Sequence, residues 1–117
     1  MSAQFICYSK CSTCSKAKKW LEENNIEFEE RPIKENNPKE NELKEWIAKS
    51  GYPLKRYFNT SGNLYKELNL KDKLSGMSEE EQIKLLATDG MLVKRPIFVK
   101  DDIVLVGFKE AEWSILI

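Results

Sequence analysis

Histidine is missing from all 117 residues of this chain. Without an imidazole base, proton transfer must use a lysine, a carboxylate, a tyrosine, a thiol or water. A full zinc site within one chain is not expected either, because C-x-x-C is half of such a site and only Cys7 is left to extend it. An excess of charge is missing too. Nineteen basic residues balance nineteen acidic ones, so no overall field draws the chain to nucleic acid or to a membrane. No apolar run approaches the length of a bilayer span, and Met1-Ser2-Ala3-Gln4 lacks the basic and apolar regions of a secretory leader. An odd number of cysteines without an export signal suits a reducing compartment. The expectation is a cytoplasmic protein with no direct nucleic-acid or membrane contact. Repeats, linkers and low-complexity stretches are also absent. With 41% hydrophobic and 32% charged residues, the chain reads as one globular domain over 1–117, long enough for a core of its own.

The distinctive residues gather near the start. Phe5-Ile6-Cys7 reads as a buried strand, and a helical pattern follows Cys11. Cys11 and Cys14 lie between them in the spacing C-x-x-C. Two thiols so spaced can form one disulfide when the first sits at a helix N-terminus and the second one turn in. The free N–H groups and dipole of that helix end favour a thiolate at Cys11, and Lys10 and Lys16 would add to the effect. Cys14, Ala17, Trp20 and Leu21 share one helical face. Cys14 should therefore point inward while Cys11 lies at the exposed tip, an attacking thiol backed by a sheltered resolving thiol. Two other readings stand beside this one: a structural disulfide, which adds little stability across so short a loop, and an incidental pair. Cys7, inside the apolar strand pattern, is most simply a small core residue.

Beyond the first helix, Ile26 to Arg31 alternates apolar and charged residues as a half-buried strand does. Asn37-Pro38-Lys39-Glu40 predicts a helix capped by Asn37, with Leu43, Trp46 and Ile47 on its buried face and Gly51 at its end. From Leu54 to Leu74 the pattern is mixed, with a turn at Asn59-Thr60-Ser61-Gly62 and a short helix through Leu64 to Leu68. Ser78 and Glu81 form a capping box for a further helix burying Ile83, Leu86 and Ala87. Val93 to Val99 reads as a strand in which Pro96, lacking a donor, must sit at the strand's edge or start. Asp101-Asp102 turns the chain into a returning strand, Ile103 to Val106, and Gly107 ends it. A last helix would lay Trp113, Leu116 and Ile117 on one sheet face. The order is β-α-β, a helical insertion, then β-β-α.

A C-x-x-C between first strand and first helix, with a late strand-opening proline, resembles the thioredoxin fold, in which that proline is cis and packs beside the cysteines. Pro96 is the candidate. The likeness sharpens to the ArsC/Spx branch of that fold on Tyr8 to Ala17, Asn59-Thr60-Ser61-Gly62, Lys94-Arg95-Pro96-Ile97 and Val106-Gly107-Phe108. It implies a thioredoxin-like α/β domain with a mixed central sheet. It also implies that Cys11, Cys14 and Arg95 are catalytic, with Lys10, Ser12, Thr13, Ser15, Asn59, Arg95 and Pro96 binding substrate. Glutaredoxin-coupled arsenate reductases of the branch attack arsenate with one cysteine, matched here by Cys11, and hold the oxyanion with several arginines. Arg95 matches one of them, whereas Ser15, Asn59 and Gly107 stand where others belong. Each lost charge-assisted bond is worth about 1.5–3 kcal/mol, so efficient arsenate reduction is not expected.

The resemblance thus implies a thiol–disulfide oxidoreductase, monomeric and without a bound cofactor. Its reductant would be glutathione, another low-molecular-weight thiol such as bacillithiol, or thioredoxin. The same branch contains Spx-type regulators, in which C-x-x-C is a redox switch and the partner is the C-terminal domain of the RNA polymerase α subunit. Cys11, Cys14 and Arg95 match that pattern as well. The extra C-terminal tail usual in those regulators has no match here, which tilts the expectation towards the reductase. As bland alternatives, Lys94 and Arg95 form a solvated strand flank, or the chain keeps the fold without the chemistry.

Overall fold

A computed structural model describes residues 3–117; the Met1-Ser2 part of the opening inspected for a leader lies outside them. Four strands form one sheet in the order β2-β1-β3-β4, with β1 Gln4–Cys7, β2 Glu29–Pro32, β3 Ile97–Lys100 and β4 Ile103–Val106. β2 runs parallel to β1, while β3 is antiparallel to both β1 and β4. The sheet is mixed, as expected, and its fold is thioredoxin-like.

Both faces of the central strands are covered, which is why they read as near-continuous apolar runs. Phe5 and Cys7 of β1, Phe98 of β3 and Leu105 of β4 pack with Cys14, Ala17 and Leu21 of α1 (Ser12–Glu23) and Trp113 of α6 (Glu110–Trp113). Ile6, Ile97, Val104 and Val106 face the other way, onto the insertion. That layer consists of α2 (Glu40–Ser50), α3 (Asn63–Glu67), α4 (Leu70–Lys73) and α5 (Glu79–Leu86). Trp113 is fully buried; its ring centroid lies 5.1 Å from that of Phe108 and 5.6 Å from that of Phe98, and its Nε1 donates to the Gly107 carbonyl at 2.9 Å. Among the described residues, no helix is long and apolar enough to cross a membrane.

Several boundaries differ from expectation. The second strand begins at Glu29 instead of Ile26, because four-residue β1 offers partners only from Gln4↔Glu29 to Cys7↔Pro32. As an edge strand it tolerates Pro32, whose missing donor would break a central ladder. Ile26 and Phe28 instead pack beneath α1. Likewise α2 is capped by Lys39, not Asn37. The Glu42 carboxylate accepts from the Lys39 N–H at 3.0 Å, while Asn37 Nδ2 donates across to the Ala87 carbonyl at 2.6 Å. The capping carboxylate three residues on is present, but the motif sits two residues later than the Asn-Pro signal implies.

Val93 makes only an isolated bridge with Phe58, and the ladder of β3 starts at Ile97, one residue past the cis Arg95–Pro96 bond. At the end of the chain, α6 gives way to a 3₁₀ turn over Ser114–Leu116. Three residues per turn keep Leu116 on the face of Trp113, so Leu116 packs inward and Ile117 is 73% exposed, not part of the covering face.

One charged pair ties the edge strand to the insertion. Arg31 of β2 grips Glu42 of α2 through both oxygens, at 2.7 and 2.8 Å, and also donates to Gln4 and to the carbonyls of Asn36 and Asn37. The Arg31 hydrogen bonds hold the Glu42 carboxyl below its ordinary pKa of 4.5. A depressed carboxyl stabilises the fold above its unfolded-state pKa, and that contribution fades as pH falls through the folded one. Glu42→Gln should therefore cost about 1–2 kcal/mol at neutral pH, with the deficit closing in acid. Denaturant titrations of both proteins across that range check it; a pH-independent deficit would mean that the charge is not what matters.

Candidate active site

The site grows out of the turn between β1 and α1. Cys11 is the N-cap of α1, in an extended conformation (φ −96°, ψ 121°). Its N–H donates to the Tyr8 carbonyl at 3.0 Å, and the Tyr8 N–H donates to Cys14 Sγ at 3.4 Å. These two bonds lash the first turn of α1 to the end of β1. Cys11 is half-buried and Cys14 is 3% exposed, so the division into an accessible and a sheltered thiol is present as expected. Both are free thiols.

The three cysteines differ electrostatically. Burial raises the pKa of Cys11, but hydrogen bonds outweigh it: the Cys14 N–H, the Cys14 thiol, the Thr13 N–H and the Arg95 guanidinium all favour its thiolate, and the net shift is below 9.0. Burial, reinforced by the nearby Cys11 charge, pushes Cys14 up to about 12 despite the Tyr8 N–H. Cys7 is pushed up to about 11 by burial and by the Glu30 carboxylate, whose Oε2 lies 4.0 Å from its sulfur. As expected, Cys7 is a core residue, below the sheet with Cys14.

Arg95 stacks on Tyr8, with Cζ 5.0 Å from the ring centroid. Its Nε and Nη1 are buried and meet no hydrogen-bond acceptor among the described residues. Two buried donors of this cation are thus free to receive negative charge. Pro96 is buried beside them, and its carbonyl accepts from the Gly107 N–H at 2.8 Å.

The other residues named from sequence are placed less uniformly. Thr13 lines a cavity of about 460 Å³ that opens next to the first turn of α1. Ser15 turns its hydroxyl back onto the Cys11 carbonyl at 3.3 Å. Lys10 and Ser12 are exposed at the turn and the helix start. Asn59 lies away from the cavity wall, its N–H donating to the Leu92 carbonyl at 2.8 Å and its Nδ2 reaching towards that of Met91 at 3.5 Å. Its neighbour Thr60 reaches the wall instead. Sequence reasoning missed the cations of that wall, Lys55, Arg56, Lys94 and Lys109, as site residues. The available signal was the dipeptide Lys-Arg, which occurs at 55–56 and again at 94–95.

Together, the mixed sheet, the C-x-x-C at the start of α1 and the cis-proline beside it define a thioredoxin-like thiol protein. The family model described as "ArsC family" matches residues 7–116, and the chain belongs to that family. It is 56% identical over 114 residues to uncharacterized protein YusI of Bacillus subtilis (strain 168), covering 97% of each chain. The regulatory protein MgsR of the same organism is 31% identical over 108 residues, 92% of this chain and 84% of that one. Among solved structures, an ArsC-family-related protein from Bacteroides fragilis superposes with a TM-score of 0.97 at 59% identity, over 99% of this chain and 98% of the other. An arsenate reductase from Vibrio cholerae superposes at 0.85 with 28% identity, over 98% of both.

The electrostatics give a direct expectation. Alkylation of Cys11 by iodoacetamide, followed against pH by peptide mass mapping, should show a midpoint below the 9.0 of an ordinary thiol, with Cys7 and Cys14 unreactive near neutrality. Replacing Arg95 by Gln removes one stabiliser of the thiolate, so the midpoint should rise. An unchanged midpoint would show that the guanidinium does not act on the sulfur.

Proposed function

We propose that the chain is a cytoplasmic thiol–disulfide oxidoreductase in which Cys11 attacks and Cys14 resolves. The observation that carries this reading is the division of the pair, with half-buried Cys11 as the N-cap of α1, its thiol held below 9.0, and buried Cys14 one turn in. The Cys11 thiolate attacks one sulfur of a disulfide R–S–S–R′. A bond forms between Cys11 Sγ and that sulfur, the S–S bond breaks, and R′S⁻ leaves to take a proton from water. Arg95, with its two unpartnered donors, supports the charge as it spreads over the sulfurs.

Capping Cys11 removes the thiolate whose charge helps to hold the Cys14 pKa up. The Cys14 thiol then loses its proton more readily, and its sulfur, already at the Tyr8 N–H, attacks Cys11 Sγ. RS⁻ is released and the Cys11–Cys14 disulfide forms, so the pair has given two electrons to the substrate. Two equivalents of a low-molecular-weight thiol such as glutathione or bacillithiol, or one of thioredoxin, would return them. Arsenate is a poor candidate substrate, because Asn59 and Gly107 stand where the resembling reductases have arginines.

Two variants test the order of events. Cys11→Ser should lower disulfide reduction by on the order of a thousandfold or more, whereas Cys14→Ser should accumulate a Cys11 mixed disulfide visible by intact mass. Full turnover by Cys11→Ser ends the reading.

A regulatory reading is favoured by one finding: relatives include MgsR and, at 29% identity, the global transcriptional regulator Spx 2 of Bacillus anthracis. In that reading the same pair senses oxidation and the partner is the RNA polymerase α subunit. Retention by the isolated α C-terminal domain in a pull-down would support it; a reductase should not be retained.

A further inference from the structure

The wall of the cavity beside Thr13 has a composition that the thiol chemistry leaves unexplained. The chain as a whole is neutral, yet Lys55, Arg56, Lys94 and Lys109 converge here and no carboxylate joins them in the lining. Arg56 is already committed. It pairs with Glu112, donates to the Val106 carbonyl at 3.1 Å and stacks on Tyr52, with Cζ 4.0 Å from the ring centroid. The three lysines have no ion-pair partner among the described residues. An anion bound among them would meet positive charge and no carboxylate of the lining.

Gly107 keeps this space open. Its φ of +73° suits glycine, and a Cβ there would meet the Lys94 side chain 3.3 Å from Cε. Lys94 therefore lies across a residue without a side chain, and its neighbours Val106 and Phe108 complete an apolar floor with Phe58. At about 460 Å³ the cavity falls within the range of small-molecule sites. Thr13 joins it to the chemistry, because it lines the cavity and lies in the first turn of α1, two residues after Cys11.

We propose that this cavity holds the acidic arm of a low-molecular-weight disulfide, Lys94 and Lys109 binding a carboxylate or phosphate while the disulfide sulfur meets Cys11. The proposal rests on the thiol–disulfide reading above and adds the substrate class to it. An anion at these lysines is placed by groups other than Arg95, which stays with the reacting sulfurs. Charge selection of this kind should weaken as salt screens it.

Three probes test it: anionic dithiodipropionate, neutral bis(hydroxyethyl) disulfide and cationic cystamine, each in excess over reduced protein. The readout is the rate of mixed-disulfide formation at Cys11 in a Cys14→Ser background, followed by intact mass. The anionic probe should react fastest and the cationic one slowest. In Lys94→Gln/Lys109→Gln the ratio of anionic to neutral rates should fall about tenfold, two partly exposed charges each contributing a few-fold. Lys94→Arg/Lys109→Arg should restore it. Taking the ratio within each variant removes any effect of altered folding. A ratio that survives the double glutamine change overturns the proposal, since the preference would then come from Arg95. A wild-type ratio near one overturns it as well, leaving the thiol reading intact. Failure of all three probes to react at Cys11 removes that reading and the proposal together.

Discussion

The first turn of α1 is lashed to the end of β1 by two reciprocal bonds, Cys11 N–H to the Tyr8 carbonyl and Tyr8 N–H to Cys14 Sγ. Because β1 is a central strand covered on both faces, that attachment is anchored in the core. Everything around Cys11 is built against this fixed point. The sheltered Cys14 belongs to the same helix, Arg95 stacks on the same Tyr8, and Pro96 leads straight into the strand next to β1. An accessible thiol thereby gains a donor set in place before any substrate arrives, which is how a static scaffold lowers the cost of developing charge.

The fold was legible where local chemistry and burial agree. Phe5-Ile6-Cys7 and Ile103 to Val106 are apolar without alternation because both of their faces are covered, and Ser78 with Glu81 does cap α5. It was not legible where long-range partners decide. Nothing local in Ile26 to Phe28 says that β1 runs out of partners there, and nothing in Asn37 says that its amide is claimed by Ala87, fifty residues away. The final turn shows the same limit: whether α6 stays α-helical or tightens to 3₁₀ decides the fate of Ile117 and leaves no mark in an apolar pattern.

The candidate site divides in the same manner. Cys11 and Cys14 were readable because their roles follow from position on one helix, and Arg95 with Pro96 because a family likeness carries them. The lysines of the cavity come from three separated segments, and their convergence is a tertiary fact. Gly107 is instructive in this respect. The likeness read it as an absent arginine, whereas in the structure it is the space in which Lys94 lies.

The opposed environments of the three thiols carry one more consequence. Histidine, the side chain whose ordinary pKa lies nearest neutrality, does not occur. Cys7 and Cys14 are driven out at the alkaline side. Of the three thiols, that of Cys11 alone is held below its ordinary value. Thiolate absorbance in the ultraviolet, followed as pH rises, therefore reports on the Cys11 sulfur before either of its neighbours.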